Sequence, residues 1–406
     1  MSPSSPGQAP RGRPLPPLPV TTVGSWPRSA KLLRALNDKQ RGRLSSQAFD
    51  RTVDEAVLEA LAIQEAAGVD LVTDGEQRRD NFYSFIADKL DGVRLMSLAE
   101  MLDVVEDKAG FRRILETLDV PAFSIKNPTC VGRIARREPL ALGEYEFLRA
   151  HTDRPIKIPL PGPYLLTRAM WVKEVTREVY PTKEDLAEDV VRVLREELIA
   201  LADAGAEFVQ LDEPVLTELV FTQGQTRTFM CAALAARNDP AEELEFAVGL
   251  VNRVLEGISG IQTGLHVCRG NWSQQEHTLL SGSYHPLLGY FERMHVDQLV
   301  LEYATPRAGE LLIVPGKSLG LGLVNPRTPD VESVDAVVAR VREALAHLAP
   351  DRIYLNPDCG FGTFSSRPMN TPELAQRKLE VLVAAAKQLR AELPDSNPRE
   401  QSSSGT

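Results

Sequence analysis

Apolar residues along this chain fall into two alternating arrangements. Short runs rich in β-branched residues are separated by longer stretches whose apolar positions recur three and four apart. The short runs suit buried strands and the longer stretches suit amphipathic helices. Alternation of the two is the mark of parallel βα units. Eight runs stand out: Thr21 to Ser25, Val69 to Glu76, Pro155 to Gly162, Glu207 to Pro214, Thr263 to Cys268, Gln298 to Ala304, Ser318 to Val324 and Arg352 to Cys359. Eight strands close an α/β barrel, so the expected fold is a (β/α)8 TIM barrel.

The helical stretches carry their own punctuation. Thr182 can cap a helix whose stripe holds Leu186, Val190, Val193, Leu194 and Leu201, and Gly205 stands where that helix must stop. Gly68 ends another helix in the same way. Thr371-Pro372-Glu373 opens a third, with proline at the first helical position. The stretch from Asn81 to Arg154 is too long for one loop and one helix, and it predicts an elaboration after the second strand. The expected organisation is a disordered lead-in over 1–19, a single barrel over 20–393 and a disordered tail over 394–406, since both ends are rich in Pro, Ser and Gly.

Composition narrows the class. A chain of 406 residues, 43% hydrophobic and 25% charged, is ordinary for a globular protein. A formal net charge of -10 argues against nucleic acid and anionic membrane as partners. No apolar run approaches a membrane span, and the N-terminus lacks the apolar core of a signal peptide. The four cysteines, Cys130, Cys231, Cys268 and Cys359, are too few and scattered for a disulfide framework, so a reducing, cytoplasmic setting is expected.

The chemistry sits where a barrel would use it. Ser25, Glu76, Asp212, His266, Cys268, Glu302 and Cys359 all fall at or near the C-terminal ends of expected strands, the end where such barrels assemble active sites. His266 and Cys268, two apart on one strand, point to the same side. With Glu302 and Cys359 they offer one nitrogen, one oxygen and two sulfurs, a set suited to tetrahedral Zn2+. Singly, each residue has a bland reading: the cysteines as small buried hydrophobes, Glu302 as a satisfied core carboxylate. Cys130 and Cys231 read as structural. Glu76 and Asp212 fit a general acid and base, an ammonium-binding pair, or, for Asp212 or Glu213, a helix cap. Trp171, after the Pro161-Gly162-Pro163 turn, is a candidate stacking platform and more simply a core residue. Arg78, Arg79 and Arg269 read as neutralising nearby carboxylates. No phosphate-binding glycine motif follows any strand.

Five motifs in this order, Thr22-Val23-Gly24-Ser25-Trp26-Pro27, Asp74-Gly75-Glu76, Leu211-Asp212-Glu213-Pro214, His266-Val267-Cys268 and Asn356-Pro357-Asp358-Cys359-Gly360, resemble the catalytic C-terminal barrel of the cobalamin-independent methionine synthase family, in its short single-barrel form. The resemblance runs from Thr21 to about Leu389. It implies a zinc-dependent thiol methyltransferase with His266, Cys268, Glu302 and Cys359 as ligands. It implies Glu76 and Asp212 around the ammonium of homocysteine and Ser25 near its carboxylate. Partners would be that small thiol and a methyl donor, either methyl-folate or a methyl-corrinoid protein. The resemblance also calls for a histidine after the seventh strand, where this chain reads Gly322-Leu323-Val324-Asn325-Pro326-Arg327, and Asn325 cannot act as that acid. Competing readings are an epoxyalkane:coenzyme M transferase, which shares the look of His266 to Asn271, a metal-free uroporphyrinogen decarboxylase-like enzyme, and a zinc-binding regulator. Carboxylates at Glu76 and Asp212 favour an amino-acid thiol over a sulfonate.

Overall fold

The computed structural model describes residues 14–109, 112, 126–221, 239–271, 273–276, 279–362 and 369–393. Cys231 lies outside them. Six regular parallel strands form one sheet in chain order: β3 (Lys157–Pro161), β4 (Phe208–Asp212), β5 (Gln262–Val267), β6 (Gln298–Leu301), β7 (Ser318–Val324) and β8 (Ile353–Pro357). They match the last six expected runs. All of β3, β4 and β8 and most of the others are buried, as parallel strands covered by helices must be.

The first two expected strands take a different form. Instead of ladders they make isolated parallel bridges, Val20↔Leu355, Thr21↔Leu71 and Val72↔Ile156. Pro19, Gly24 and Gly75 bracket these segments, and proline lacks the N–H a ladder needs. The described residues thus form an α/β fold around a parallel sheet. Residues 17–19, expected within the lead-in, are held in the fold. Leu18 is fully buried, its N–H donates to the Pro350 carbonyl at 2.8 Å, and Arg390 donates to the Pro17 and Leu18 carbonyls at 2.7 and 3.0 Å.

Helices stop and start where their caps dictate. Lys183–Asp203 opens on Thr182, whose side chain accepts from the Asp185 N–H while Asp185 reaches back, a capping box. Its apolar stripe, including Leu186, Val190, Leu194 and Leu201, is buried, each such side chain stabilising by roughly 1.5–3 kcal/mol. Pro372–Glu392 begins on Thr371 as expected. Ser46–Ala67 ends on Gly68 at φ 92°, a left-handed cap.

Within Asn81 to Arg154 the described residues hold an antiparallel ribbon, β1 (Leu90–Ser97) with β2 (Lys126–Arg136), and the helix Leu142–Arg149. Glu197, fully buried on the helix behind, accepts from the N–H groups of Leu140, Ala141 and Leu142 at 2.7–2.8 Å, tying this segment down.

Candidate metal centre

Register sets the site. Asp212 pairs with His266 across β4 and β5, so both side chains project from the same row of the sheet. Asp212 Oδ1 lies 2.9 Å from His266 Nδ1 and also accepts from Gln210 Nε2 at 2.8 Å. Gln210 in turn donates to the Val23 carbonyl at 3.0 Å. A carboxylate on Nδ1 fixes the proton there and leaves Nε2 as the free nitrogen. Nε2 is buried with no aligned hydrogen bond among the described residues. Cys268, two positions on, and Cys359, just past β8, complete a cluster whose ligand atoms lie within 4.8 Å of one another, all three residues buried.

Charges in the cluster interlock. Cys359 is pulled down to about 6, chiefly by a hydrogen bond from the Cys268 thiol and then by His266, against burial. Cys268 is correspondingly pushed well above the usual thiol range, by that shared hydrogen bond first and burial second. Burial alone would lower His266, but its bond to Asp212 and the nearby Cys359 sulfur raise it to about 10. A thiolate at Cys359 facing a cationic imidazole is what three metal ligands do when protons stand in for the metal. The soft donors and a buried nitrogen with no aligned hydrogen bond fit a zinc-class ion.

Glu302, the fourth expected ligand, follows β6 beside the cluster, but its oxygens are engaged elsewhere. Oε1 accepts from the Arg269 backbone N–H at 3.0 Å and from Asn271 Nδ2, and Oε2 accepts from Arg307 Nη2 at 3.0 Å. Two neighbours hold the backbone at Glu302 and just after it. Tyr284 Oη accepts from the Glu302 N–H at 3.1 Å while donating to the Val267 carbonyl at 2.6 Å. Asp358 Oδ1 accepts from Tyr303 and Ala304 N–H, both at 2.9 Å. Gly322 makes room for Asp358, since a Cβ there would lie 2.4 Å from that oxygen. Sequence reasoning passed over Asn271, Arg307, Asp358 and Tyr284; the adjacency of Asp358 to Cys359 and of Asn271 to Cys268 was the available signal.

The acids cluster on the other side. Glu76 sits at φ 53°, a left-handed backbone that glutamate rarely adopts, beside Gly24, where a Cβ would lie 2.2 Å from its Oε1. Burial, reinforced by Asp212 and Asp74 against Arg79, raises Glu76 to about 8, and its Oε2 has no hydrogen bond among the described residues. Ser25 packs on the loop after β8: its Oγ accepts from the Gly362 N–H at 3.3 Å and its carbonyl from Phe361 at 2.8 Å. A Cβ on Gly360 would meet that Oγ at 2.1 Å. Glu213 caps a helix, though the preceding one, accepting from Tyr164 and Leu165 N–H at 2.7 and 2.9 Å. Trp171 is half-buried, its indole N–H donating to the Tyr180 carbonyl at 3.1 Å. Arg78, Arg79 and Arg269 pair with Asp54, Glu144 and Glu302.

Fold and site together define an α/β enzyme with a buried histidine–cysteine cluster that could hold a metal ion, at the C-terminal ends of its parallel strands. The family model for the cobalamin-independent synthase catalytic domain matches residues 18–388, and the chain belongs to that family. The methionine synthase of Pyrococcus abyssi is 31% identical over 383 residues, covering 93% of this chain and 95% of that protein. That of Saccharolobus solfataricus is 29% identical, covering 93% and 97%. Among solved structures, a B12-independent methionine synthase from a Shewanella species, in complex with selenomethionine, superposes with a TM-score of 0.68 at 21% identity, covering 93% of this chain and 99% of that one. A methyltransferase from Methanosarcina mazei gives 0.50 at 17%, with 93% and 95% covered. At these identities the structural likeness speaks for the fold.

Proposed function

We propose that this protein transfers a methyl group to the thiol of homocysteine, forming methionine, with zinc held by His266, Cys268 and Cys359 and by Glu302 once it is released from its present partners. The carrying observation is the convergence of three ligand atoms within 4.8 Å, one of them a buried nitrogen with no aligned hydrogen bond. Curated relatives that span nearly the same length are methionine synthases, which supports the substrate. The selenomethionine carried by the Shewanella neighbour supports an amino-acid site in the same fold. When bound, zinc supplies a Lewis acid that keeps a substrate thiol as the thiolate nucleophile near neutral pH.

The chain's own groups do the rest. Asp212 holds the His266 ring in the tautomer that frees Nε2. Glu76 and Asp212 present carboxylate oxygens to an ammonium group, and arrival of that cation would draw Glu76 into its charged form. Ser25 stands against the Cys359 loop, where the amino acid's carboxylate would lie. Asn325 accepts from the Arg327 N–H at 3.0 Å, and its amide is too weak an acid to protonate a leaving group, which favours a methyl-corrinoid donor over methyl-folate. The bridges at Val20, Thr21 and Val72 support reading the sheet as a closed eight-stranded barrel.

The test supplies zinc-loaded protein with homocysteine and methylcobalamin, then 5-methyltetrahydrofolate, and measures methionine. Methionine from the first mixture, lost on chelation and restored by zinc, is expected. Methylation of coenzyme M in preference to homocysteine would overturn the reading.

A further inference from the structure

Behind Glu302 lie three buried arginines, and they are not equivalent. Arg269 is held by the fold: Nε donates to the Gly282 carbonyl at 2.8 Å, Nη2 to Ala308 at 2.9 Å and Nη1 to Glu302 at 3.3 Å, and its plane stacks 3.7 Å from the Tyr284 ring. Arg307 and Arg327 each leave an N–H edge without an aligned acceptor, at Nε and Nη2 respectively. Their side chains are 5% and 1% exposed. Guanidinium groups buried this deeply normally have their donors satisfied.

One anion faces both edges. Glu276 Oε2 lies 2.7 Å from Arg327 Nη2 and Oε1 lies 3.6 Å from Arg307 Nε, neither aligned as a hydrogen bond, with the glutamate side chain 55% exposed. A half-exposed carboxylate thus lies across two buried cations. Such an anion exchanges readily, because water rehydrates the departing carboxylate while the guanidinium pair stays dry.

We propose that Arg307 and Arg327 form an oxyanion site, covered at rest by the chain's own Glu276, that takes the carboxylate, phosphate or sulfonate group carried by the methyl donor. Its link to the metal centre is Asn271. Asn271 Oδ1 accepts from Arg307 Nη2 at 3.1 Å and Arg327 Nε at 2.9 Å, while its Nδ2 donates to Glu302 Oε1. An anion that draws both guanidinium groups toward itself loosens Asn271 and Arg307 from Glu302 and leaves it the Arg269 backbone donor and the Arg269 guanidinium, 3.7 Å from Oε2. The site therefore couples arrival of the second substrate to release of the carboxylate beside the histidine and cysteines. Assigning the anion to a methyl donor rests on the proposed function; the anion site itself does not.

Calorimetry with inorganic phosphate, at constant ionic strength on chelated full-length protein, tests the site without turnover. Removing the resident anion in Glu276→Gln is expected to tighten phosphate binding by about tenfold, and Arg327→Gln to abolish it. Should Arg327→Gln fail to fold, Arg327→Lys keeps the charge but loses the second edge, and phosphate should bind about tenfold more weakly. Equal affinity in wild type and Glu276→Gln, or undiminished binding in Arg327→Lys, would overturn the site. Phosphate should still bind with homocysteine present, whereas displacement by homocysteine would assign the site to the amino acid's carboxylate and overturn its assignment to the donor. Phosphate binding as expected in a protein that makes no methionine would fault the proposed function alone.

Discussion

Asp212 and His266 face each other across adjacent strands, with Asp212 Oδ1 2.9 Å from His266 Nδ1. This one contact settles which imidazole nitrogen is available to a metal, so Asp212 acts on the cluster as well as on any substrate amine. Asp212→Ala should weaken zinc affinity by about 10–100-fold in a chelator competition, the usual effect of removing a carboxylate behind a ligating histidine. Unchanged zinc affinity with a raised KM for homocysteine would leave Asp212 with a substrate role only.

Ligand removal should be more severe. Cys268→Ser and Cys359→Ser are each expected to copurify without stoichiometric zinc and to lose more activity than Asp212→Ala. Glu302→Gln should retain zinc, because its oxygens are held by Asn271, Arg269 and Arg307 in the resting arrangement. Elemental analysis of the three variants separates these outcomes, and loss of zinc in Glu302→Gln alone would contradict the arrangement.

Without metal, the two sulfurs should differ in reactivity. Cys359 is held at about 6 by the Cys268 thiol and His266, and Cys268 stays protonated. Iodoacetamide labelling of chelated protein, read by peptide mass spectrometry, should show a Cys359 midpoint near pH 6 and little labelling of Cys268. Zinc should protect both. Equal midpoints in the ordinary thiol range would mean that the sulfurs do not share a proton.

Glu76 predicts a pH dependence of stability. Its folded-state value of about 8, raised first by burial, lies above the ordinary 4.5. The folded state therefore holds this proton more tightly than the unfolded chain. Its contribution is complete below about pH 4.5 and is lost as pH rises through about 8. Between pH 5 and 9 wild type should lose roughly 5 °C of Tm relative to Glu76→Gln, whose amide does not titrate. Parallel Tm curves for the two proteins would show that Glu76 stays charged throughout.

Much of this was readable from residue order. Period-two spacing in His266-Val267-Cys268 and the acids ending apolar runs point to one face and one end of a sheet, because strand geometry converts spacing directly into direction. Glu302 was harder. Its position beside the cluster follows from β6, but its partners Asn271 and Arg307 come from the loops after β5 and β6, and loop paths carry no periodic signal. Arg327 approaches from beyond β7, 56 positions from the Asn271 oxygen it binds, a separation that local pattern cannot bridge. The first two strands read as ordinary β runs, but Pro19, Gly24 and Gly75 curtail their ladders to single bridges, an outcome decided by tertiary pairing rather than β propensity.

The pairing of Val20 with Leu355 and of Arg390 with the Leu18 carbonyl has a consequence for how the protein is made. The latter contact spans 372 positions. At ribosomal rates of about 5–20 residues per second, the first β segment waits on the order of tens of seconds for the strand that will flank it. During that interval Thr21 can meet Leu71, but its other neighbour has not been synthesised. A nascent chain of this protein therefore carries this strand edge bare until the segment holding Leu355 has emerged from the ribosome.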